Sequence, residues 1–147
     1  MEWLEILDIS LFRSVLRNTT PIALIGFGAA FCSAAGVLNI GLEGKMLNAA
    51  FVGVATSFYT GSALIGFICG VSAGILTSIL FGVLSFRLGA DEVLAGLAIN
   101  IFALAGTRYL LETLFQRRGF FSDPSIQGIE PIHFKFLEGS RFELIFS

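Results

Sequence analysis

The chain has 147 residues, 55% hydrophobic and only 14% charged, with 17 glycines and a mean hydropathy of +0.86. That composition excludes an ordinary soluble domain and points to an integral membrane protein. A formal net charge of -2, with no run of Lys or Arg interleaved with aromatics, excludes a nucleic-acid-binding surface.

In chain order, residues 1–19 mix Trp3, Leu4, Leu7, Leu11, Val15 and Leu16 with Glu5, Asp8, Arg13 and Arg17, a pattern that predicts an amphipathic helix at the membrane interface. Because Glu2, Glu5 and Asp8 precede any sustained apolar run, no cleavable signal peptide is expected. Residues 21–38 carry no charge and open on Pro21, whose missing N–H costs least in a first helical turn, so they predict a span. Residues 46–59 form a short apolar run of about 20 Å, less than a hydrocarbon core of about 30 Å. Residues 62–86 and 93–115 are each long enough to cross. Residues 117–147 read as loop: their apolar clusters are broken by Glu130, Lys135, Glu138, Arg141 and Glu143, and His133 stands alone. The expected fold is all-α and polytopic, a single membrane domain over 1–147 with about four transmembrane or partly membrane-inserted helices within 20–116, one of them a candidate broken helix.

Residues 62–86 contain a ladder of Ser62, Gly66, Gly70, Gly74, Ser78 and Gly82, small residues at every fourth position. This spacing lets helix backbones approach closely in lipid and predicts helix packing. Cys32 and Cys69 both lie in apolar segments and read as small buried hydrophobes, with no disulfide or metal site.

The polar interruption "NIGLEGK", residues 39–45, sits where charge is costly, about 2.5–3.5 kcal/mol at the centre of a span. Two readings stand. In one it is a solvated loop between separate spans, with Lys45 compensating Glu43. In the other it is a break in a discontinuous helix beside a transport path. There Asn39 satisfies freed backbone groups or a ligand, Gly41 and Gly44 permit the turn, and Glu43 steadies the next helix through its dipole. Asn100 is a second path candidate, one turn after Gly96, although an interhelical hydrogen bond is the commoner fate of such a residue. Arg108 and Glu112, spaced to pair, read as boundary residues that snorkel.

The stretches "GVLNIGLEG", residues 36–44, and "EVLAGLAIN", residues 92–100, stand in an order and spacing that resembles the permeases of bacterial ABC importers for nucleosides and simple sugars. The likeness runs from about Thr20 to Asn100 and covers the N-terminal half of such permeases. The "NIGLEG" form looks most like the purine nucleoside branch. The resemblance implies a multi-pass protein of the bacterial inner membrane that works by alternating access. Its implied partners are a cytoplasmic ABC ATPase, a second permease subunit and an extracytoplasmic solute-binding protein or lipoprotein. It also implies that this chain binds no cofactor directly, ATP being used by the partner ATPase, and that the chain is truncated or its other half is supplied separately.

Alternatives from other classes are a truncated or structural membrane subunit that conducts nothing and an ion-driven secondary transporter. An enzyme is not expected: no nucleophile stands beside a base, and neither a "GxxxxGK[ST]" loop nor a metal-spaced His or Cys cluster occurs. Sidedness stays open. Four crossings would place Arg13, Arg17, Arg117, Arg118, Lys135 and Arg141 inside, opposite Lys45 and Arg87, whereas the resemblance implies an extracytoplasmic segment after residue 115.

Overall fold

The computed structural model describes residues 9–116 and residue 126. Among these the chain is helical, with no strand: α1 Ile9–Ala34, α2 Leu42–Thr60, α3 Ala63–Gly82, a π-helical turn Val83–Arg87, and α4 Glu92–Phe115. Three stretches are long and apolar enough to cross a membrane: Leu11–Ala34, Ala63–Arg87 and Glu92–Phe115. The expectation of an all-α membrane protein with about four helices therefore holds. The expected loop at 117–147 and His133 lie outside the described residues.

Helix boundaries differ from the sequence reading in two places. The interfacial helix and the first span are not separate over the described residues, because α1 continues through Pro21. Proline removes one donor, leaving the Arg17 carbonyl without its usual partner, but the Thr20 hydroxyl donates to Leu16 O at 2.7 Å and the surrounding turns keep their bonds. The short run at 46–59 becomes a 19-residue helix of about 28 Å, because Leu42, Glu43, Gly44 and Lys45 form its first turn. Of "NIGLEGK", residues 42–45 are thus helical and only residues 39–41 lie outside a helix. Lys45 is only 7% exposed, and its ammonium sits 4.3 Å over the Phe81 ring, a favourable cation–π contact away from water.

The chain divides into two compact units, one taking in α1 as far as Phe27 and the other Gly28–Gly128. The second unit contains every contact that follows. α2 turns back into α3 through Gly61 and Ser62, where Gly61 takes φ 63° and its N–H donates to Ser57 O. The two helices are antiparallel and meet through small residues. A Cβ on Gly66 would lie 2.7 Å from Gly53 O and 2.8 Å from Ser57 Cβ, and one on Gly70 would lie 2.8 Å from Ala49 O. Gly74 is in ordinary contact with Ala49, Gly82 approaches only the Phe86 ring, and Ser62 is the N-cap residue of α3. Ser78 is exposed.

The π-helical turn shifts the hydrogen-bond register, with Leu88 N donating to Val83 O at 3.0 Å, and brings the chain round to α4. Asp91 starts α4 by accepting from the N–H groups of Val93 and Leu94, both at 3.0 Å, which satisfies donors no helical carbonyl can reach. Phe81, Ala95 and Ile99 form the buried core beneath this corner, with Val37, Leu84 and Ala90 packed against it.

Candidate functional site

The break spans the residues between α1 and α2. Helix α1 stops in a Schellman arrangement: Gly36 takes φ 77°, its N–H donates to Ser33 O, and the Val37 N–H donates to Cys32 O, both at 2.9 Å. Only glycine adopts that φ without strain, so Gly36 fixes where the helix ends. The irregular stretch that follows, residues 37–41, has backbone groups, the Leu38 N–H and the Ile40 carbonyl among them, that no helical hydrogen bond satisfies. In a membrane each of them needs a partner.

Helix α4 supplies those partners from one face. Glu92 Oε2 accepts from Leu38 N at 2.6 Å. Asn100 Nδ2 donates to Ile40 O at 3.0 Å, while its Oδ1 accepts from Gly44 N at 2.7 Å. Glu92, Gly96 and Asn100 recur at four-residue spacing, so they line one stripe of α4. Between the two hydrogen-bonding residues, Gly96 lets the chain come into direct contact: a Cβ there would stand 2.7 Å from Gly41 N. A Cβ on Gly41 would meet Gly96 Cα at 3.1 Å, and one on Gly44 would meet Asn100 Cα and Ile99 O at 2.8 Å. The break is thus clamped at both ends and pressed flat in the middle.

The five candidates are brought together unequally. Gly41, Gly44 and Asn100 touch through this clamp. Asn100 holds protein backbone at both ends of its amide. Asn39 holds no part of α4 by hydrogen bond: its Nδ2 donates to Cys32 Sγ at 3.5 Å, and its Oδ1, 3.5 Å from where a Cβ on Gly41 would stand, is enclosed without a hydrogen-bond partner. Glu43 is exposed in the first turn of α2, where its charge complements the positive helix end. With Gly44, Leu47, Asn100, Ile101 and Leu104 it lines a cavity of about 120 Å³.

That cavity shares Leu47 and Leu104 with a larger groove of about 590 Å³ between α2 and α4, walled by Phe51, Val54, Leu111 and Phe115 among others, with Thr107 and Arg108 on its α4 side. The two helices run parallel, Gly44 beside Asn100 and Phe58 edge-on to Phe115 with ring centroids 5.4 Å apart. Arg108, read from sequence as a boundary residue, lines this groove.

A family profile described as "Branched-chain amino acid transport system / permease component" matches residues 11–146. The chain belongs to this permease family. Among curated permeases, the guanosine ABC transporter permease protein NupQ of Bacillus subtilis is 30% identical over 121 residues, covering 78% of this chain and 38% of the relative. The nucleoside ABC transporter permease protein NupC of Lactococcus lactis is 29% identical, covering 71% and 35%. The putative glucose ABC transporter permease protein TsgC13 of Haloferax volcanii is 28% identical, covering 67% and 30%. The chain spans well under half the length of these permeases. No solved structure matches. Membership places the chain in a family of membrane transport permease components, in keeping with its three helices long and apolar enough to cross a membrane, and the relatives are named as permease proteins of ABC transporters. The resemblance carried by residues 36–44 and 92–100 holds, and those two stretches are the ones that clasp each other.

Sequence reasoning overlooked Glu92 as a partner of the break, although Glu92, Gly96 and Asn100 at intervals of four carried the signal. It also overlooked the row on α2 that receives the glycine ladder, Ala49, Gly53 and Ser57, which has the same spacing. The groove residues Phe51 and Arg108 left no such signal, since only helix packing shows that they face each other's element.

Proposed function

We propose that this chain is a permease subunit of an ATP-driven importer for nucleosides, purine nucleosides foremost, or simple sugars. The observation that carries the reading is the match to permeases of nucleoside and sugar ABC transporters, together with a family profile whose match over residues 11–146 takes in the residues that build the break. Two of the relatives, NupP and NupQ, are both guanosine transporter permeases of Bacillus subtilis, which supports a working unit containing a second permease subunit. A cytoplasmic ABC ATPase supplies the energy and hydrolyses the ATP. An extracytoplasmic solute-binding protein or lipoprotein delivers the solute. This chain binds no cofactor of its own, and the assembly sits in the bacterial inner membrane.

In this mechanism α2 and α4 line part of the path, α3 braces α2 through its small residues, and the clamped break at Asn39, Gly41, Glu43 and Gly44 shapes one end. Alternating access moves helices past each other without opening backbone groups to lipid, and Asn100 and Glu92 keep the break satisfied during that motion. The test is solute uptake in cells expressing the chain with its neighbouring transporter subunits. Uptake is expected to stop on ATP depletion and to persist when ion gradients are collapsed with ATP maintained. The opposite pattern would identify an ion-driven carrier and refute the reading.

A further inference from the structure

The α2–α4 groove has a composition that discriminates between the two solute classes. Its volume of about 590 Å³ falls within the range of roughly 300–1,000 Å³ typical of ligand pockets. Its walls are almost wholly apolar, and of its polar members Thr107 is already engaged, its hydroxyl donating to Ala103 O at 2.7 Å. A monosaccharide placed here would bury several hydroxyls without partners, each at a cost. A flat heterocycle would bury its faces against Phe51 and the leucines and need polar contact only at one edge.

Arg108 is placed to supply that edge. It lies seven residues, about 10.5 Å, before the end of α4, and its Cα–Cβ bond tilts toward the helix N-terminus, away from the nearer helix end. No ion pair or hydrogen bond engages its side chain among the described residues, and an ionisable group at membrane depth facing a cavity marks a ligand position. The guanidinium is a two-pronged donor with no acceptor, suited to a ring carbonyl beside a ring nitrogen. At the other end, Glu43 is an acceptor able to take hydroxyl donors. The distance along α4 from Asn100 to Arg108, and along α2 from Glu43 to Phe51, is about 12 Å in each case.

Building on the importer reading, we infer that the groove receives a nucleoside lengthwise, the base against Phe51 with its carbonyl edge on Arg108, and the ribose toward Glu43. Bases with a ring carbonyl beside a nitrogen acceptor, such as guanine with its O6 and N7, fit better than adenine, whose N6–H₂ would face a group that can only donate.

The experiment is ATP-dependent uptake of guanosine, adenosine and free ribose by the assembled transporter, at saturating solute, in cells lacking other routes. The intact complex is expected to take up guanosine faster than adenosine, and ribose poorly. Arg108→Gln is expected to lower the guanosine rate about tenfold and the adenosine rate less, with the amount of complex in the membrane unchanged. Arg108→Lys keeps the charge but loses the fork, so it should fall between. If the Gln variant fails to accumulate, the guanosine-to-adenosine ratio of the Lys variant decides, since a purely structural role would leave that ratio unmoved. Normal guanosine uptake with an unchanged ratio overturns the groove assignment and leaves the importer standing. Preferential uptake of ribose does the same. No ATP-driven uptake of any of the three overturns both.

Discussion

Gly44 and Gly96 leave no room for a methyl group, since the added carbon would stand within 2.8 Å of Asn100 and Ile99 in one case and 2.7 Å from Gly41 N in the other. All the atoms met are backbone or clamped side chain, so they cannot give way easily. Gly44→Ala and Gly96→Ala are each expected to destabilise the packed break by about 1–3 kcal/mol, read as a lower unfolding midpoint of the purified complex in detergent. Gly26, whose added Cβ would meet nothing within 4 Å, is the matched control and should tolerate alanine. Asn100→Leu removes two hydrogen bonds at once and strands the Gly44 N–H and the Ile40 carbonyl. A loss of roughly 1–2 kcal/mol is expected, with impaired uptake but normal membrane insertion. Asn39→Ala should also impair uptake, and normal transport in both variants would remove these residues from the path. The interhelical role of Asn100 was legible because a lone amide in an apolar segment has few other fates. That of Glu92 was not, because a carboxylate at a helix start already has a sufficient local reason, the helix dipole.

At the scale of elements, the glycine ladder of α3 is used on one stretch only. Gly66 and Gly70 touch α2, whereas Ser78 is exposed. Gly70→Leu is therefore expected to force α2 and α3 apart and prevent accumulation of a stable complex, while Ser78→Leu should be accepted, as measured by complex recovered after detergent extraction. Equal sensitivity at both sites would mean that the far end of α3 is also packed in the assembly. The presence of the helices could be read from sequence because each is set by a long apolar stretch. Their ends were harder. Pro21 looked like a start, but one missing donor does not outweigh the helical hydrogen bonds of the turns on either side of it. Leu42–Lys45 looked like loop because Glu43 and Lys45 are charged, yet Lys45 finds the face of Phe81 and Glu43 the dipole of the helix it opens. Charge marked the segment correctly as exceptional. What it could not convey was that partners fifty residues away would make it helical.

For the Gly28–Gly128 unit, the family assignment was legible because it rests on two short stretches whose spacing is peculiar, and their mutual contact gives that pairing a physical reason: the glycines of one need the glycine of the other. The groove was not legible, since Phe51 and Arg108 become neighbours only through the parallel alignment of α2 with α4. The groove assignment inferred above gives the choice of solute to residues that look unremarkable one at a time.

The clamp also carries a consequence for biosynthesis. Leu38, Ile40 and Gly44 depend on side chains 54, 60 and 56 residues further along the chain. At synthesis rates of about 5–20 residues per second, the break waits roughly three to twelve seconds for Glu92 and Asn100 to be made. During that interval its backbone groups must be met by water or by the insertion machinery. The break therefore enters the membrane unfinished beside the α2–α3 pair, and the arrival of α4 is the event that closes it.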